Sequence, residues 1–120
     1  GKQQFNENSK YLCRHHIIPE MNHNELLGWG SGNKNHAAIF LHTSDMNLRN
    51  KKRFKLTAEM LAIKTDNIIN LISQGANKIE ESMYLIYVLD WTSYYVGTIR
   101  GEDTIEIKNI DYLKSQLAKI

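Results

Sequence analysis

The stretch that decides the fold is HAAIFLH, residues 36–42. Its unbroken run of apolar residues between two histidines is typical of a short strand buried on both faces, which is the pattern of a parallel sheet. A polar loop follows at residues 43–47, and the spacing of apolar residues then predicts a helix over residues 48–64. This part of the chain therefore predicts a strand followed by a helix.

The same alternation extends in both directions. Residues 67–73, NIINLIS, predict a further strand, and residues 11–18, YLCRHHII, predict an earlier one. Pro19 ends the earlier strand, because proline cannot donate to a strand ladder. Asn22 or Asn24 then caps a short helix, and residues 109–119 predict an amphipathic helix at the C-terminus. The order indicates an α/β fold in three layers, with a small parallel sheet of about three strands flanked by helices.

The longest predicted helix covers residues 77–100 and is apolar on nearly every side. A helix without a polar face must be buried, and a chain of 120 residues has little interior to offer. We therefore expect something outside this chain to cover part of the helix. Asp90 is a charge in the middle of it, and it is either a structural hydrogen-bonding anchor or part of a site.

Composition excludes several classes of protein. The chain has 120 residues, 42% hydrophobic and 23% charged, which predicts one globular domain over residues 1–120. A formal charge of +2 argues against a dedicated nucleic-acid binder. No run approaches the roughly 18 apolar residues that span a bilayer, and no secretion signal is visible. Cys13 is the single cysteine; it cannot form an internal disulfide, so we expect a cytoplasmic protein.

A polar cluster, PEMNHNE at residues 19–25, follows the first predicted strand. Ligands of open α/β sheets bind beyond the carboxyl ends of the strands. Carboxylates, an imidazole and amides at such an edge would suit proton transfer on a polar substrate. The alternative is a helix cap followed by a solvated first turn. The residues in question are Glu20, Asn22, His23, Asn24 and Glu25.

Cations are concentrated early in the predicted helix 48–64, in the run RNKKRFK at residues 49–55. The N-terminal end of a helix disfavours positive charge. A phosphate ligand would explain the run, and a solvated helix face would explain it more simply.

The histidines do not indicate a metal site. They lack the pair at i and i+4 with a third acidic ligand that is typical of zinc. We therefore expect no metal and no other cofactor. The five histidines are His15, His16, His23, His36 and His42.

Several blocks of the sequence match a known family in order and spacing. They are FNENSK at 5–10, PEMNHNE at 19–25 followed by GW at 28–29, RF at 53–54 with LT at 56–57, and LDWTSYY at 89–95 followed by Gly101. From about Gln3 to Leu117 the chain resembles the C-terminal sugar-isomerase (SIS) domain of the bifunctional phosphoglucose/phosphomannose isomerases. The resemblance implies a flavodoxin-like SIS fold, a sugar-phosphate substrate, and an N-terminal SIS domain of the same protein as a partner.

The resemblance also implies a mechanism. Enzymes of this family open the hexose ring and move a proton between C2 and C1 through an enediol, without a metal. The shuttling glutamate corresponds to Glu25, with Glu20 as the second choice, and Lys114 corresponds to the lysine that assists ring opening. His23, the imidazole of the same polar cluster, is a further catalytic candidate. Candidates for holding the substrate are Asn22, Asn24 and Arg49.

One departure from the family pattern concerns ring opening. The family has His-Pro-Arg before the basic helix, and that histidine is lent by a neighbouring subunit; here the positions read Asn47-Leu48-Arg49. Either His42 or His23 substitutes for it, or ring opening is slow, or activity has been lost.

Three functions therefore stay open at this point: an isomerase domain, a sugar-phosphate-binding or regulatory SIS domain without turnover, and a structural dimerisation module. The Ser/Thr-rich phosphate loop of the family lies in the first SIS domain and has no counterpart in this chain. We therefore expect the chain alone to be inactive. We also expect it to form a homodimer through the helix at 77–100.

Overall fold

The structure is a computed structural model that describes residues 1–32 and 34–120. The described chain divides into two compact units, one of Gly1–Arg14 with Ile86–Ile120 and one of His15–Leu85. We refer to them as the first and second unit. The elements in chain order are α1 (Lys2–Asn8), a 3-10 helix (Glu20–His23), α2 (Glu25–Gly28), β1 (Ala37–His42), α3 (Leu48–Ala62), β2 (Asn67–Ile72), α4 (Lys78–Arg100) and α5 (Lys108–Leu117).

The second unit is built on a parallel pair of strands. β1 and β2 pair in register from Ala37 opposite Asn67 to His42 opposite Ile72, and α3 is the crossover helix between them. At the carboxyl end the Ser73 N–H donates to the His42 carbonyl oxygen at 2.9 Å. The prediction of an α/β fold with a small parallel sheet is confirmed.

The number of strands differs from the prediction of about three, since the described residues form two. Residues 11–18 form no strand. The backbone of Cys13 is instead bonded to one side chain: its N–H donates to Asn6 Oδ1 at 3.0 Å, and its carbonyl oxygen accepts from Asn6 Nδ2 at 3.2 Å. Leu12 and Ile17 are both largely exposed. The apolar pattern of this segment therefore does not correspond to burial in a sheet.

Burial of β1 is one-sided, so the prediction that both faces are buried is wrong for this chain. Phe40 is buried, and Phe54 of α3 packs edge-on against both Phe40 and His42. On the opposite face, Ile39 and Ile69 stand side by side and are 38% and 49% exposed. The crossover helix covers one face of the sheet, and a strand pair with one covered face buries only alternate residues.

The first unit is organised by α1 packing on α4. Asn8 Nδ2 donates to Ser93 Oγ at 2.8 Å, and Ser9 and Ser93 are fully buried. Gly97 allows this close approach, because a Cβ at that position would lie 2.5 Å from the Asn8 carbonyl oxygen. The blocks FNENSK (residues 5–10) and LDWTSYY (residues 89–95), which carry the resemblance to the family, are therefore in contact. This contact indicates a structural role for both blocks.

Asp90 belongs to the same contact. It is exposed rather than buried, and its Oδ1 accepts from Asn8 Nδ2 at 3.4 Å. Of the two alternatives for Asp90, this contact supports the structural anchor.

Within this chain α4 is buried along one face only, in agreement with the expectation that the chain alone does not cover it; what covers the rest of the helix stays a prediction. One stripe, repeating every fourth residue at 81, 85, 89, 93 and 97, is buried, as expected for one helix face at 3.6 residues per turn. Tyr84, Val88 and Val96 are partly buried, whereas eight other apolar side chains of the helix are 43–85% exposed. They are Ile79, Met83, Ile86, Tyr87, Trp91, Tyr94, Tyr95 and Ile99.

Among the described residues, no helix combines the length and apolar character needed to cross a membrane.

Candidate active site

The polar cluster at residues 19–25 forms the 3-10 helix and the start of α2 in the second unit. Asn24 is the N-cap of α2, since its Oδ1 accepts the Glu25 N–H at 2.5 Å. Asparagine is among the residues best suited to this position, because its side chain replaces a missing helical acceptor. Of the two predicted caps, Asn24 is therefore confirmed.

Asn22 ties this cluster to α3. Its Nδ2 donates to Thr57 Oγ1 at 2.8 Å, and Thr57 is only 2% exposed. Asn22 Oδ1 is buried without a hydrogen-bond partner, which is a costly state for an amide oxygen. The cluster therefore lies against the middle of α3. The prediction that it follows the carboxyl end of a strand is wrong, because residues 11–18 form no strand.

Glu25 is in contact with His16, whose Nε2 faces the Glu25 Oε2 atom. The side chains are 26% and 36% exposed respectively. A carboxylate in this setting is oriented by the imidazole and still reachable by a small polar substrate. The sequence alone does not indicate this contact, because residues 11–18 have the apolar pattern of a strand.

The other carboxylate of the cluster, Glu20, is exposed, as are His23 and Asn24. The structure thus distinguishes Glu25, which is half-buried and held by a neighbour, from Glu20, which is solvated in the 3-10 helix. This difference favours Glu25 as the candidate base, because general-base catalysis needs a carboxylate held in position within reach of the substrate.

The departure at Asn47 has a structural counterpart. Asn47 is the N-cap of α3, and its Oδ1 accepts the Asn50 N–H at 2.8 Å. Arg49 follows in the first helical turn and is exposed. In the same basic run, the ammonium of Lys55 forms an ion pair with Glu59 at 4.0 Å.

The two remaining candidates lie elsewhere. His42 is at the end of β1, where its Nε2 lies 2.9 Å from Asn70 Oδ1 and its ring packs on Phe54. Lys114 is exposed on α5 and belongs to the first unit. His42 is thus held by neighbours, whereas Lys114 is exposed to solvent.

No three His, Cys, Asp or Glu side chains within the described residues are grouped so as to hold a metal ion. Cys13 is partly buried, and this burial raises the pKa of its thiol. A thiol with a raised pKa has a smaller thiolate fraction at neutral pH, so it is a poorer nucleophile and metal ligand.

Asp45 and Lys78 form an ion pair of 2.8 Å beside the loop after β1. The hydrogen bond from Lys78 lowers the pKa of Asp45, and the same bond raises the pKa of Lys78. A lowered carboxyl pKa stabilises the fold above the ordinary aspartate pKa, and this contribution is lost as the pH falls through the lowered value.

We therefore expect Asp45→Asn to reduce the acid sensitivity of folding below about pH 4, by a small amount because both groups are exposed. The comparison is the thermal midpoint of the variant and the unaltered protein at neutral and acidic pH in low salt. Equal acid sensitivity of the two proteins would show that the pair contributes nothing.

Comparison with known proteins identifies the class. Residues 1–117 match the family model described as the bacterial phospho-glucose isomerase C-terminal SIS domain. The chain therefore belongs to the bacterial phosphoglucose isomerase C-terminal SIS domain family.

Three similar proteins share the name bifunctional phosphoglucose/phosphomannose isomerase. The bifunctional phosphoglucose/phosphomannose isomerase of Aquifex aeolicus is 32% identical over 98% of this chain and 38% of its own length. The protein of the same name from Caldicellulosiruptor bescii is 32% identical over 99% of the chain and 36% of its own length. The one from Thermoplasma volcanium is 28% identical, with 98% and 38% covered. The chain thus spans little more than one third of these relatives.

Proposed function

We propose that this chain is the C-terminal domain of a sugar-phosphate isomerase that interconverts glucose 6-phosphate or mannose 6-phosphate with fructose 6-phosphate. The observation that carries the proposal is Glu25: a half-buried carboxylate, in contact with His16, inside the NHNE block by which the chain resembles the family. The family membership and the names of the relatives support the reaction class.

In the proposed reaction Glu25 moves one proton. Its carboxylate takes the proton from C2 of the open-chain aldose, the C2–H electron pair becomes the C1–C2 double bond, and the C1 carbonyl oxygen gains a proton to give the enediol. Glu25 then returns a proton to C1 while the C2 hydroxyl loses its own, which yields the ketose. A positioned carboxylate of this kind contributes roughly 10²–10⁴-fold to the rate.

The other candidates serve binding and ring opening in this proposal. His16 keeps the Glu25 carboxylate in one orientation. Lys114 and His23 assist ring opening by proton transfer to the ring oxygen. Asn22, Asn24 and Arg49 hold the hydroxyls and the phosphate of the sugar.

The proposal is tested by assaying the complete gene product that carries this chain. With fructose 6-phosphate, it should form glucose 6-phosphate or mannose 6-phosphate, and prior treatment with a chelator should leave the rate unchanged. The isolated 120 residues should show no turnover. Absence of both products with a folded complete protein would contradict the proposal, and a rate that depends on added zinc would contradict the metal-free mechanism.

The proposed partners are a second copy of the chain and the N-terminal SIS domain of the same protein. A continuous aromatic cluster on α4 supports an apolar partner, because neighbouring rings lie 5.8–6.3 Å apart and each is about half exposed. Large exposed apolar patches mark interaction surfaces. The cluster consists of Tyr87, Trp91, Tyr94 and Tyr95.

We expect the isolated chain to form a two-fold dimer through α4, because exposing several such side chains costs roughly 1.5–3 kcal/mol each. Sedimentation equilibrium at micromolar concentration measures this. Trp91→Glu, which places a charge in the aromatic cluster, should shift the equilibrium towards the monomer. A monomeric unaltered chain would contradict the expectation.

A sugar-phosphate-binding domain without turnover is the second candidate. The specific observation in its favour is that Asn47, where the family has the ring-opening histidine, acts as the N-cap of α3. The amide of asparagine neither gains nor loses a proton at neutral pH, so it cannot act as the general acid or base of ring opening. A rise in the thermal midpoint of the complete protein with fructose 6-phosphate, without any product, would select this candidate.

A further inference from the structure

Glu81 in the first turns of α4 is a buried carboxylate that the helix itself does not need. The N-terminus of α4 is already capped: Asn77 Oδ1 accepts the N–H groups of Ile79 and Glu80, both at 3.0 Å. Glu80 completes the cap, since its carboxylate accepts the Ala76 N–H at 2.8 Å. Glu81 is therefore not needed to cap the helix, and its carboxylate is free to bond elsewhere.

The carboxylate of Glu81 points to the loop after β1. Glu81 is 4% exposed, and its Oε1 and Oε2 lie 3.3 and 3.2 Å from the backbone nitrogen of Ser44, which donates to both. The nearby ammonium of Lys78 is bonded to Asp45 instead. Burial of a carboxylate is costly unless hydrogen-bond donors satisfy it. An apolar residue at position 81 would avoid this cost, but it could not accept the Ser44 N–H.

The loop held by Glu81 leads directly into α3. Ser44 and Asp45 lie just beyond the carboxyl end of β1, and Asn47 then caps α3. Ligands of parallel sheets bind at this end of the strands. Arg49, a candidate for holding the sugar phosphate, is in the first turn of the helix, so its position depends on this loop.

We propose that Glu81 is a positioning residue: by holding the Ser44 N–H, its carboxylate places the β1–α3 loop and, through it, Arg49 against the sugar phosphate. This inference rests on the proposed isomerase function. It predicts an effect on substrate binding rather than on proton transfer, because the carboxylate of Glu81 acts on the loop through Ser44.

The test compares variants of the complete protein with fructose 6-phosphate. Glu81→Met keeps the volume and removes the acceptors, so KM should rise about tenfold while kcat stays within about threefold, as for a lost hydrogen bond to a charged group. Glu81→Asp keeps the charge and withdraws the oxygens by one methylene, and should also raise KM severalfold. Glu81→Gln retains an acceptor oxygen and should restore KM to within about threefold. Glu80→Gln, at the neighbouring exposed position, is the matched control and should leave KM unchanged.

Amide hydrogen exchange of residues 43–47 gives a readout that does not depend on turnover. Exchange in this loop should be faster in Glu81→Met and Glu81→Asp than in Glu80→Gln. Unchanged KM and unchanged loop exchange in Glu81→Asp would overturn the inference. This variant decides the test by itself if Glu81→Met does not fold. An unaltered protein without isomerase activity, whose loop exchange still depends on Glu81, would refute the proposed function and leave Glu81 as a purely structural clamp.

Discussion

Glu25→Gln in the complete protein should lower kcat for isomerisation of fructose 6-phosphate by about a thousandfold, with little change in the thermal midpoint. Glutamine has nearly the same size and shape as glutamate and still accepts a hydrogen bond, but it cannot take a proton from carbon. Glu25 is half-buried and in contact with His16, so the variant preserves the surroundings while removing the base. Steady-state kinetics with a coupled assay for glucose 6-phosphate measures the effect.

Glu20→Gln is the matched control for this experiment. Glu20 lies in the same polar block but is solvent-exposed in the 3-10 helix, and we expect its replacement to change kcat by less than about threefold. Near-normal turnover in Glu25→Gln together with a large loss in Glu20→Gln would move the base to Glu20. Near-normal turnover in both would contradict the mechanism.

Gly97→Ala should destabilise the first unit by about 1–3 kcal/mol, although alanine is the better helix former. A Cβ at this position would lie 2.5 Å from the Asn8 carbonyl oxygen and 2.9 Å from Thr104 Cγ2. The oxygen belongs to the backbone at the end of α1, so relief of the clash requires α1 to move away from α4. Such a movement would also break the hydrogen bond from Asn8 to Ser93.

Gly28→Ala serves as the control for glycine replacement. Gly28 ends α2, and a Cβ there would meet nothing within 4 Å, so we expect a neutral or slightly stabilising effect. The thermal midpoints of the two variants of the complete protein provide the comparison. A Gly97→Ala protein as stable as Gly28→Ala would show that the α1–α4 contact is loose.

Much of the second unit could be predicted from local patterns. The runs HAAIFLH and NIINLI form β1 and β2 as expected, and α3 lies within the predicted bounds, because unbroken apolar runs and helical spacing are local signals. The segment 11–18 has the same local signal and forms no strand. The Asn6 side chain there forms hydrogen bonds with the backbone N–H and carbonyl oxygen of Cys13. Sequence spacing does not reveal such a contact.

The candidate site was less predictable, since it depends on contacts between distant residues. Asn22 bonds to Thr57, and Glu81 bonds to Ser44, across 35 and 37 positions in the chain. Neither partner follows from periodicity or composition. The roles of Glu25, Lys114 and Arg49 were assigned by resemblance to the family, and they stay predictions until the variants are measured.

The measurement that tests the central claim most directly is NMR of the sugar phosphates while the complete protein turns over fructose 6-phosphate in D₂O. A proton held by Glu25 exchanges with solvent, so the account predicts aldose 6-phosphate carrying deuterium at C2, formed about a thousandfold more slowly by Glu25→Gln. Deuterium incorporated at the same rate by Glu25→Gln, or product formed by both proteins without any deuterium, would contradict it.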